Sequence, residues 1–342
     1  MPSSIALVTG ANGEIGRSLL RALAEHGDYE VVSLDLTPLA DDARSLVSAA
    51  YIGNIMDRNL LAQLAAHHEI DHVFHLAALL STRGERDPEL AHQINVEGTL
   101  NVLRVAQNQS SRLGRPVRFL FPSSIAAYGL PSREEKRAAG RVREEQWNVP
   151  ITMYGCNKLY CEHVGRYFTF HARQLGALST AARVDFRALR FPGLMSAETE
   201  PAGGTSDFGP EMIHAAARGV PYVCFVEEEA RLPFMAMPDA VRALLRLARA
   251  DRARLTSSVY NVGAFSVRAE DIAERVRRAF PGASIAYRPD PVRARIVASW
   301  PEDVDDARAR GEWGWDPQHD WDSAFEAYLV PRVRARYGRA AS

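Results

Sequence analysis

The chain has 342 residues, of which 46% are hydrophobic and 24% are charged, a composition typical of a globular protein with one large core domain and a smaller lobe. The formal net charge of -1 argues against a partner that is nucleic acid or an anionic membrane, and no apolar run approaches the roughly 18 residues of a spanning helix. A strand is predicted almost at the N-terminus, and the cysteines have neither metal-ligand nor CxxC spacing, so we expect a cytoplasmic protein without a signal peptide or a metal site.

The first half of the chain alternates short apolar runs with helical patterns. Apolar runs that predict buried strands are Ile5–Val8, Val31–Leu34, His72–Leu76 and Val117–Phe121. Helical periodicity covers Ile15–His26 and Asn59–His68. Strands that alternate with helices predict an α/β fold, here a doubly wound parallel (Rossmann) sheet with a smaller C-terminal substrate lobe.

A glycine-rich turn follows the first predicted strand and opens the first helix. Glycines at this spacing allow a tight turn and let backbone N–H groups approach a pyrophosphate at the helix N-terminus. The residues that we expect to bind a dinucleotide here are Gly10, Asn12, Gly13, Glu14, Ile15 and Gly16.

Asp35 ends the second strand, about 20 residues after the glycine turn, where a carboxylate can accept hydrogen bonds from the adenosine ribose. Its charge would repel a 2′-phosphate, and Leu36, Thr37 and Pro38 supply no cation, so the sequence favours NAD over NADP. Two later strand ends are predicted to contact the same cofactor, through Asn54 and Ile55 and through Leu76, Ala77 and Ala78.

Two long helical patterns cover Pro88–Gln109 and Tyr154–Leu175, and the second carries more aromatic surface than one sheet face needs. They predict either core packing or a homodimer interface. Asn95, within the first pattern, is interpreted as a polar support of the cofactor site. The charged stretch Arg133–Glu145 is predicted to be a solvated loop or short helix.

Tyr154 and Lys158 are four residues apart and therefore share one face of a helix. The lysine ammonium, with a positive nicotinamide ring, favours the tyrosine phenolate, which can then act as a general base. Only Lys136 and Lys158 among the 41 basic residues are lysines, which makes a chance pairing less frequent. Ser124, at the end of the preceding strand, is predicted to orient the substrate oxygen.

After Pro192 the strand–helix rhythm weakens and glycines and prolines cluster, which predicts a second lobe. Pro238 opens a further helix with Asp239 in its first turn, and Val259–Gly263 is predicted to return to the first sheet. The NAD-binding domain is therefore predicted over residues 1–192 and 238–262, and the substrate lobe over 193–237 and 263–342.

The glycine turn, Ser123-Ser124 with Tyr128-Gly129, and Tyr154-x-x-x-Lys158 together resemble the extended short-chain dehydrogenases, a group that includes sugar-nucleotide epimerases and dehydratases. Within that group the chain resembles the short-chain L-threonine 3-dehydrogenases nearly end to end. The segments that carry this narrower resemblance are Leu79–Ser81, Arg190–Gly193, Gly203–Phe208, Met237–Ala240, Ser299–Pro301 and Glu312–Trp315.

The resemblance implies oxidation of the C3 hydroxyl of L-threonine to 2-amino-3-oxobutyrate, with hydride passing to NAD. It implies that the backbone after Pro192 meets the nicotinamide carboxamide. The amino-acid site that it implies consists of Ser81, Ser124, Tyr154, Gly193, Thr205 and Asp207. Arg83 departs from the family pattern and introduces a cation beside this site, which leaves another β-hydroxy acid open as substrate.

Two other functions remain open on the sequence. One is an NAD-dependent sugar-nucleotide epimerase or dehydratase, against which the acidic run Glu227–Glu229 argues because such substrates carry a diphosphate. The other is a scaffold that binds NAD without turnover, against which the retention of Ser124, Tyr154 and Lys158 argues.

Overall fold

The computed structural model describes residues 4–172, 183–201 and 203–338. The strands in these ranges are β1 (Ser4–Thr9), β2 (Tyr29–Asp35), β3 (Ala49–Ile52), β4 (Ile70–His75), β5 (Val117–Ser124), β6 (Arg141–Val142), β7 (Val184–Phe191), β8 (Gly193–Met195), β9 (Tyr222–Cys224), β10 (Arg231–Ala236), β11 (Val259–Asn261), β12 (Phe265–Arg268), β13 (Ile285–Tyr287) and β14 (Asp303–Val304).

The α-helices are α1 (Glu14–His26), α2 (Asp41–Arg44), α3 (Arg58–His67), α4 (Ser81–Arg86), α5 (Pro88–His92), α6 (Gly98–Leu113), α7 (Arg133–Ala139), α8 (Met153–Phe170), α9 (Phe208–Ala217), α10 (Met237–Arg249), α11 (Ala269–Ala279), α12 (Pro291–Ala298), α13 (Ala307–Trp313), α14 (Trp321–Ser323) and α15 (Val330–Gly338). Gln93–Glu97 and Ala324–Leu329 form π-helical turns, and Ile125–Ala127 and Arg252–Arg254 form 3-10 turns. No helix in the described ranges is long and apolar enough to cross a bilayer.

Seven parallel strands form the central sheet in the order β11-β7-β5-β4-β1-β2-β3. The order reverses between β1 and β4, as in a doubly wound fold, so the predicted fold class is confirmed. The predicted return of Val259 to the first sheet is also confirmed, because β11 pairs with β7.

Alternate side chains of β1 enter two different cores, which is the pattern of a strand covered on both faces. Ala6 and Val8 pack with Leu20 of α1 and Leu244 of α10. On the other face, Leu7 belongs to a second buried cluster that includes residues of α3, α6 and α8.

Three strands that come after β7 in the sequence form a smaller sheet in the order β12-β10-β8. Its strand β8 begins at Gly193, two residues after the end of β7, so the chain passes directly from the central sheet into the smaller one. The domain boundaries at 192/193, 237/238 and 262/263 stay a prediction.

Buried Asp239 joins the C-terminal segment to the start of α10. Its carboxylate accepts hydrogen bonds from the backbone N–H groups of Gln318 and His319, both at 2.9 Å. The predicted first-turn position of Asp239 is confirmed. At the other end of α10, buried Arg187 donates to the carbonyls of Leu247 and Ala250. Both ends of this helix are therefore held by buried charged side chains.

The structure refines two sequence predictions. The segment 88–109 is helical throughout, as predicted, and consists of α5, the π turn Gln93–Glu97, which carries Asn95, and α6. The stretch 133–145, predicted to be a solvated loop or short helix, contains the short helix α7 and is mostly exposed, but its Lys136 is buried and donates from Nζ to the carbonyl of Val297 at 3.2 Å. The last residues of the helix predicted over 154–175, namely 173–175, lie outside the described residues.

Candidate active site

A cleft of about 1140 Å³, which opens to solvent, lies at the carboxyl ends of the central strands, where ligands bind in doubly wound folds. It extends from the glycine turn to the smaller lobe. The residues lining it are Gly10, Gly13, Glu14, Ile15, Gly16, Leu76, Ala78, Leu80, Ser81, Pro122, Ser123, Ser124, Ile125, Tyr154, Lys158, Phe191, Pro192, Gly193, Leu194, Gly204, Thr205, Ser206, Asp207 and Trp300.

The glycine turn fits a dinucleotide pyrophosphate. Gly10 has a φ of +71°, and a Cβ there would lie 2.6 Å from the backbone nitrogen of Ala77. A Cβ at Gly16 would lie 2.5 Å from the carbonyl oxygens of Gly10 and Ala11, so close packing excludes a side chain at both positions. Gly13 is the N-cap residue of α1 and has no side chain to accept a hydrogen bond from the first turn, so the backbone N–H groups of that turn are left to bind an anion.

Asp35 stands at the edge of this turn. Its Oδ2 accepts from the backbone N–H of Asn12 at 2.8 Å, and its Oδ1 accepts from that of Thr37 at 3.2 Å. The Asn12 side chain donates to the carbonyls of Thr37 and Pro38, and its buried Oδ1 has no hydrogen-bond partner among the described residues. The carboxylate therefore holds the turn and keeps acceptor capacity for a ribose.

The other predicted cofactor residues surround this turn. The backbone N–H of Gly53 donates to the backbone carbonyl of Asp35 at 2.8 Å, and the next residue, Asn54, is exposed, while Ile55 is buried in the core. The backbone N–H of Leu76 donates to the carbonyl of Thr9 at 3.0 Å, and this strand end places Leu76 and Ala78 in the cleft wall.

Asn95 is buried behind the cleft wall. Its Oδ1 accepts from the backbone N–H of Leu79 at 2.7 Å, and its Nδ2 donates to the carbonyl of Leu79 and to Oδ1 of Asn157. These bonds hold the segment after Ala78 in place. The geometry fits the predicted polar support, whereas a direct contact of Asn95 with the cofactor stays a prediction.

Ser124, Tyr154 and Lys158 meet at one end of the cleft. Thr152 caps α8 by accepting from the backbone N–H of Gly155 at 3.1 Å. A Cβ at Gly155 would lie 2.1 Å from the carbonyl oxygen of Ala126, so this glycine lets α8 approach the segment after β5. The Ser124 hydroxyl thereby comes close enough to the Tyr154 phenol to influence the phenol pKa.

Burial dominates the titration of this group. It raises the pKa of Tyr154 to about 12, although the Ser124 side chain opposes the rise. Burial also lowers the pKa of Lys158 to about 8. The lysine Nζ lies 5.5 Å from the centre of the Tyr154 ring and donates to the carbonyl of Pro122 at 2.6 Å. The predicted lowering of the phenol pKa by Lys158 and a nicotinamide ring concerns the complex with NAD and stays a prediction.

Ser81 and Thr205 are both buried in the cleft wall, and their hydroxyls are hydrogen-bonded to each other at 3.0 Å. Asp207 immediately precedes α9, and its Oδ2 accepts from the backbone N–H of Gly204 at 2.6 Å, not from the first turn of that helix. A carboxylate and two hydroxyls thus meet near Tyr154, together with Pro192 and Gly193.

Arg83 is exposed, whereas Ser81 and Gly84 form the buried face of α4. The acidic run also lies outside the cleft: Glu227 pairs with Arg133 and Glu229 with Arg268. Glu227 and Glu229 therefore do not disfavour a diphosphate in the cleft, contrary to the interpretation of this run from the sequence.

Several residues of the site were missed by sequence reasoning. Trp300 lines the cleft, and its Ser-Trp-Pro motif was the available signal. Arg293 donates from Nη2 to the carbonyl of Gly204 at 3.1 Å and lies 3.2 Å from the centre of the Phe225 ring, which supports the turn that bears Thr205. Glu14 was expected in the cofactor turn, but the glycine motif does not reveal that burial and the nearby Asp207 raise its pKa to about 7.

Comparisons with known proteins agree with this geometry. Residues 6–263 match the profile of the NAD dependent epimerase/dehydratase family. An uncharacterized epimerase/dehydratase of Staphylococcus aureus (strain USA300) is 34% identical over 325 residues, which cover 94% of this chain and 95% of that protein.

Two solved structures extend the comparison. The GalE-like L-threonine dehydrogenase from Cupriavidus necator, in its holo form, has a TM-score of 0.82 and 35% identity over 98% of this chain and 100% of its own. A monomeric L-threonine 3-dehydrogenase from a metagenome has a TM-score of 0.84 and 32% identity over 97% of this chain and 99% of its own.

Proposed function

The chain belongs to the NAD-dependent epimerase/dehydratase family and uses NAD as its cofactor, and on this premise we propose that it oxidises the C3 hydroxyl of L-threonine to 2-amino-3-oxobutyrate. The observation that carries the proposal is the meeting of Ser81, Thr205 and Asp207 with Tyr154 in one cleft. These groups match a small zwitterion: hydroxyls donate to its carboxylate, and a carboxylate accepts from its ammonium.

Bound NAD would accept the hydride from C3, and its positively charged nicotinamide ring would favour the phenolate. Tyr154 takes the proton of the substrate hydroxyl, and Ser124 donates to the substrate oxygen. Lys158, fixed by the carbonyl of Pro122, adds positive charge beside the ring. Because burial alone raises the pKa of Tyr154, proton transfer requires the positive charge of both neighbours.

The cofactor contacts belong to the same proposal. The first turn of α1 binds the pyrophosphate, Asp35 the adenosine ribose, and the backbone after Pro192 the carboxamide. The domain division follows: residues 1–192 and 238–262 bind NAD, and the remaining lobe supplies Thr205 and Asp207 to the substrate.

A sugar-nucleotide substrate fits the cleft less well. Of the described residues that line it, Lys158 is the only cation, and Glu14 and Asp207 are acids. The diphosphate of a nucleotide sugar carries two or more negative charges, and the cleft offers few positively charged groups to pair with them, which disfavours its binding. The charge balance therefore favours a zwitterion over a nucleotide sugar.

Removing the ammonium from the substrate tests the role of Asp207. The native protein should prefer L-threonine to (R)-3-hydroxybutyrate, which has the same C3 hydroxyl without the ammonium. Asp207→Asn retains an acceptor for the Gly204 N–H but loses the charge, so it should abolish most of that preference. An undiminished preference in kcat/KM would refute the assignment of Asp207.

We further propose that a second copy of the chain covers α5 and α8. Tyr160 and Tyr167 of α8 are 52% and 47% exposed, and Leu90 of α5 is 40% exposed, which is much apolar surface to leave in water. Light scattering on a sizing column should give the mass of a dimer, and Tyr160→Glu with Tyr167→Glu should give a monomer. A native monomer would overturn this assembly without affecting the proposed reaction. A cytoplasmic location stays a prediction from the sequence.

A further inference from the structure

A buried ion pair lies directly behind Lys158. Arg190 of β7 donates from Nε to Oε1 of Glu162 at 2.8 Å and from Nη2 to Oε2 at 2.6 Å. Both side chains are 3% exposed. A paired geometry of this kind is needed to hold two charges in a protein interior.

The remaining polar atoms of the pair are also bonded. Ser123 donates its hydroxyl hydrogen to Oε1 of Glu162. Arg190 donates from Nη1 to the carbonyl of Glu144 at 3.0 Å and to Oδ1 of Asn148 at 2.9 Å. Its guanidinium lies 4.6 Å from the centre of the Tyr128 ring. The Glu162 carboxylate is therefore held in one position from both sides.

That position is one helical turn from the catalytic lysine. Lys158 and Glu162 are at i and i+4 of α8, on the same face. Both are also attached to the end of β5, since Lys158 donates to the carbonyl of Pro122 and Glu162 accepts from the next residue, Ser123. Cys161 and Glu162 both oppose the effect of burial on the Lys158 pKa.

The other titratable groups around Lys158 carry no negative charge at neutral pH. His75 of β4 is buried, and burial lowers its pKa to about 3, so its imidazole is neutral. Burial raises the pKa of Cys161 to about 11 and that of Tyr154 to about 12, so both are protonated. Arg190, from β7, is positive but is paired with Glu162.

We infer that Glu162 is a positioning residue: held by Arg190 and Ser123, its carboxylate keeps Lys158 positively charged in a buried site and fixes it against the end of β5. The consequence for catalysis rests on the proposed function, because Lys158 then favours the phenolate of Tyr154. The effect on Lys158 itself does not depend on which substrate is oxidised.

The composition of the chain makes this effect directly measurable, because it contains only two lysines, Lys136 and Lys158. In full-length protein labelled with ¹³C at lysine Cε, the carbon shift of each lysine follows its titration, and Lys136→Arg assigns the two signals. Glu162→Gln should lower the pKa of Lys158 by about one unit or more, as expected for loss of a nearby opposite charge, and leave that of Lys136 unchanged.

A matched control lies on the same strand. Arg187 and Asp185 form another buried ion pair, with Nη2 and Oδ2 at 2.6 Å, next to the end of α10. Asp185→Asn should destabilise the protein as Glu162→Gln does but leave the titration of Lys158 unchanged. If Glu162→Gln does not fold, Glu162→Gln with Arg190→Leu leaves no unpaired buried charge and should still lower the Lys158 pKa.

An unchanged Lys158 titration in the folded variant, single or double, would overturn the inference. So would an equal change in Asp185→Asn, since that would mark a general loss of packing. Glu162→Asp keeps the charge and should restore most of the native titration. The measurement uses neither NAD nor substrate, so failure to oxidise L-threonine would leave its result standing.

Discussion

Replacing Asp35 by alanine should weaken NAD binding and narrow the preference of the enzyme for NAD over NADP. The carboxylate already accepts from the backbone N–H groups of Asn12 and Thr37, at 2.8 and 3.2 Å. The Thr37 hydroxyl also donates to Asp35 Oδ1, at 3.3 Å. Two carboxylate oxygens have about four acceptor positions, so one remains for a ribose hydroxyl.

A hydrogen bond to an ionised group contributes about 1.5–3 kcal/mol, so losing one ribose contact should raise the dissociation constant of NAD about 10- to 150-fold. Binding of NADP should change less, because Asp35→Ala removes both a ribose acceptor and the repulsion of the 2′-phosphate. The adjacent residues Leu36, Thr37 and Pro38 supply no cation, so the variant should bind both cofactors weakly.

Calorimetric titration with NAD and with NADP measures both constants without a substrate. Thr37→Val is the matched control, because it removes the side-chain hydroxyl that lies 3.3 Å from Asp35 Oδ1 but leaves the carboxylate. It should bind NAD nearly as well as the native protein. Tighter binding of NADP than of NAD by the native protein, or unchanged NAD binding by Asp35→Ala, would refute the role of Asp35.

Three further predictions concern the cleft. Tyr154→Phe should abolish NADH formation and leave the dissociation constant of NAD nearly unchanged, because the ring stays and only the proton acceptor is lost; most of the native turnover in steady-state assays would rule out Tyr154 as the base. Burial raises the pKa of Glu14 to about 7 from 4.5, so the folded protein binds more protons than the unfolded chain between these values, and stability falls as the pH rises through them. Glu14→Gln should therefore raise Tm relative to the native protein at pH 8 but not at pH 4, and an equal difference in thermal melts at both would contradict the assignment. Arg83 is exposed, so Arg83→Ala should leave kcat/KM for L-threonine unchanged, and a marked loss would mean that its guanidinium reaches the substrate.

The parts of the fold that the sequence predicts are those encoded over short distances. The parallel sheet can be predicted from apolar runs that alternate with helical periodicity, because a strand and the helix that follows it are encoded within about 30 residues. Gly16 can be predicted for a similar reason, because a Cβ there would clash with the carbonyl oxygens of Gly10 and Ala11 in the same turn. Gly10 instead approaches the distant backbone of Ala77, and it is predicted only because it belongs to the same short glycine motif.

The parts that the sequence does not predict depend on contacts between distant segments. The pairing of Glu162 with Arg190 joins residues 28 apart, and the burial of Lys136 depends on Val297, 161 residues away. The phenol of Tyr154 shows a further difficulty. Its pKa depends on how deeply the phenol is buried, which cannot be read from the sequence. This burial raises the pKa by more than Ser124 lowers it.

The central claim is tested most directly by incubating the protein with NAD and either L-threonine or a UDP-hexose while following NADH by its absorbance. We expect NADH to accumulate with L-threonine and 2-amino-3-oxobutyrate, or its decarboxylation product aminoacetone, to form in equal amount. The UDP-hexose should yield no NADH and no epimer. Epimerisation of the UDP-hexose, with no NADH from L-threonine, would contradict the account in favour of an epimerase, and the absence of any reaction in both incubations would favour a protein that binds NAD without turnover.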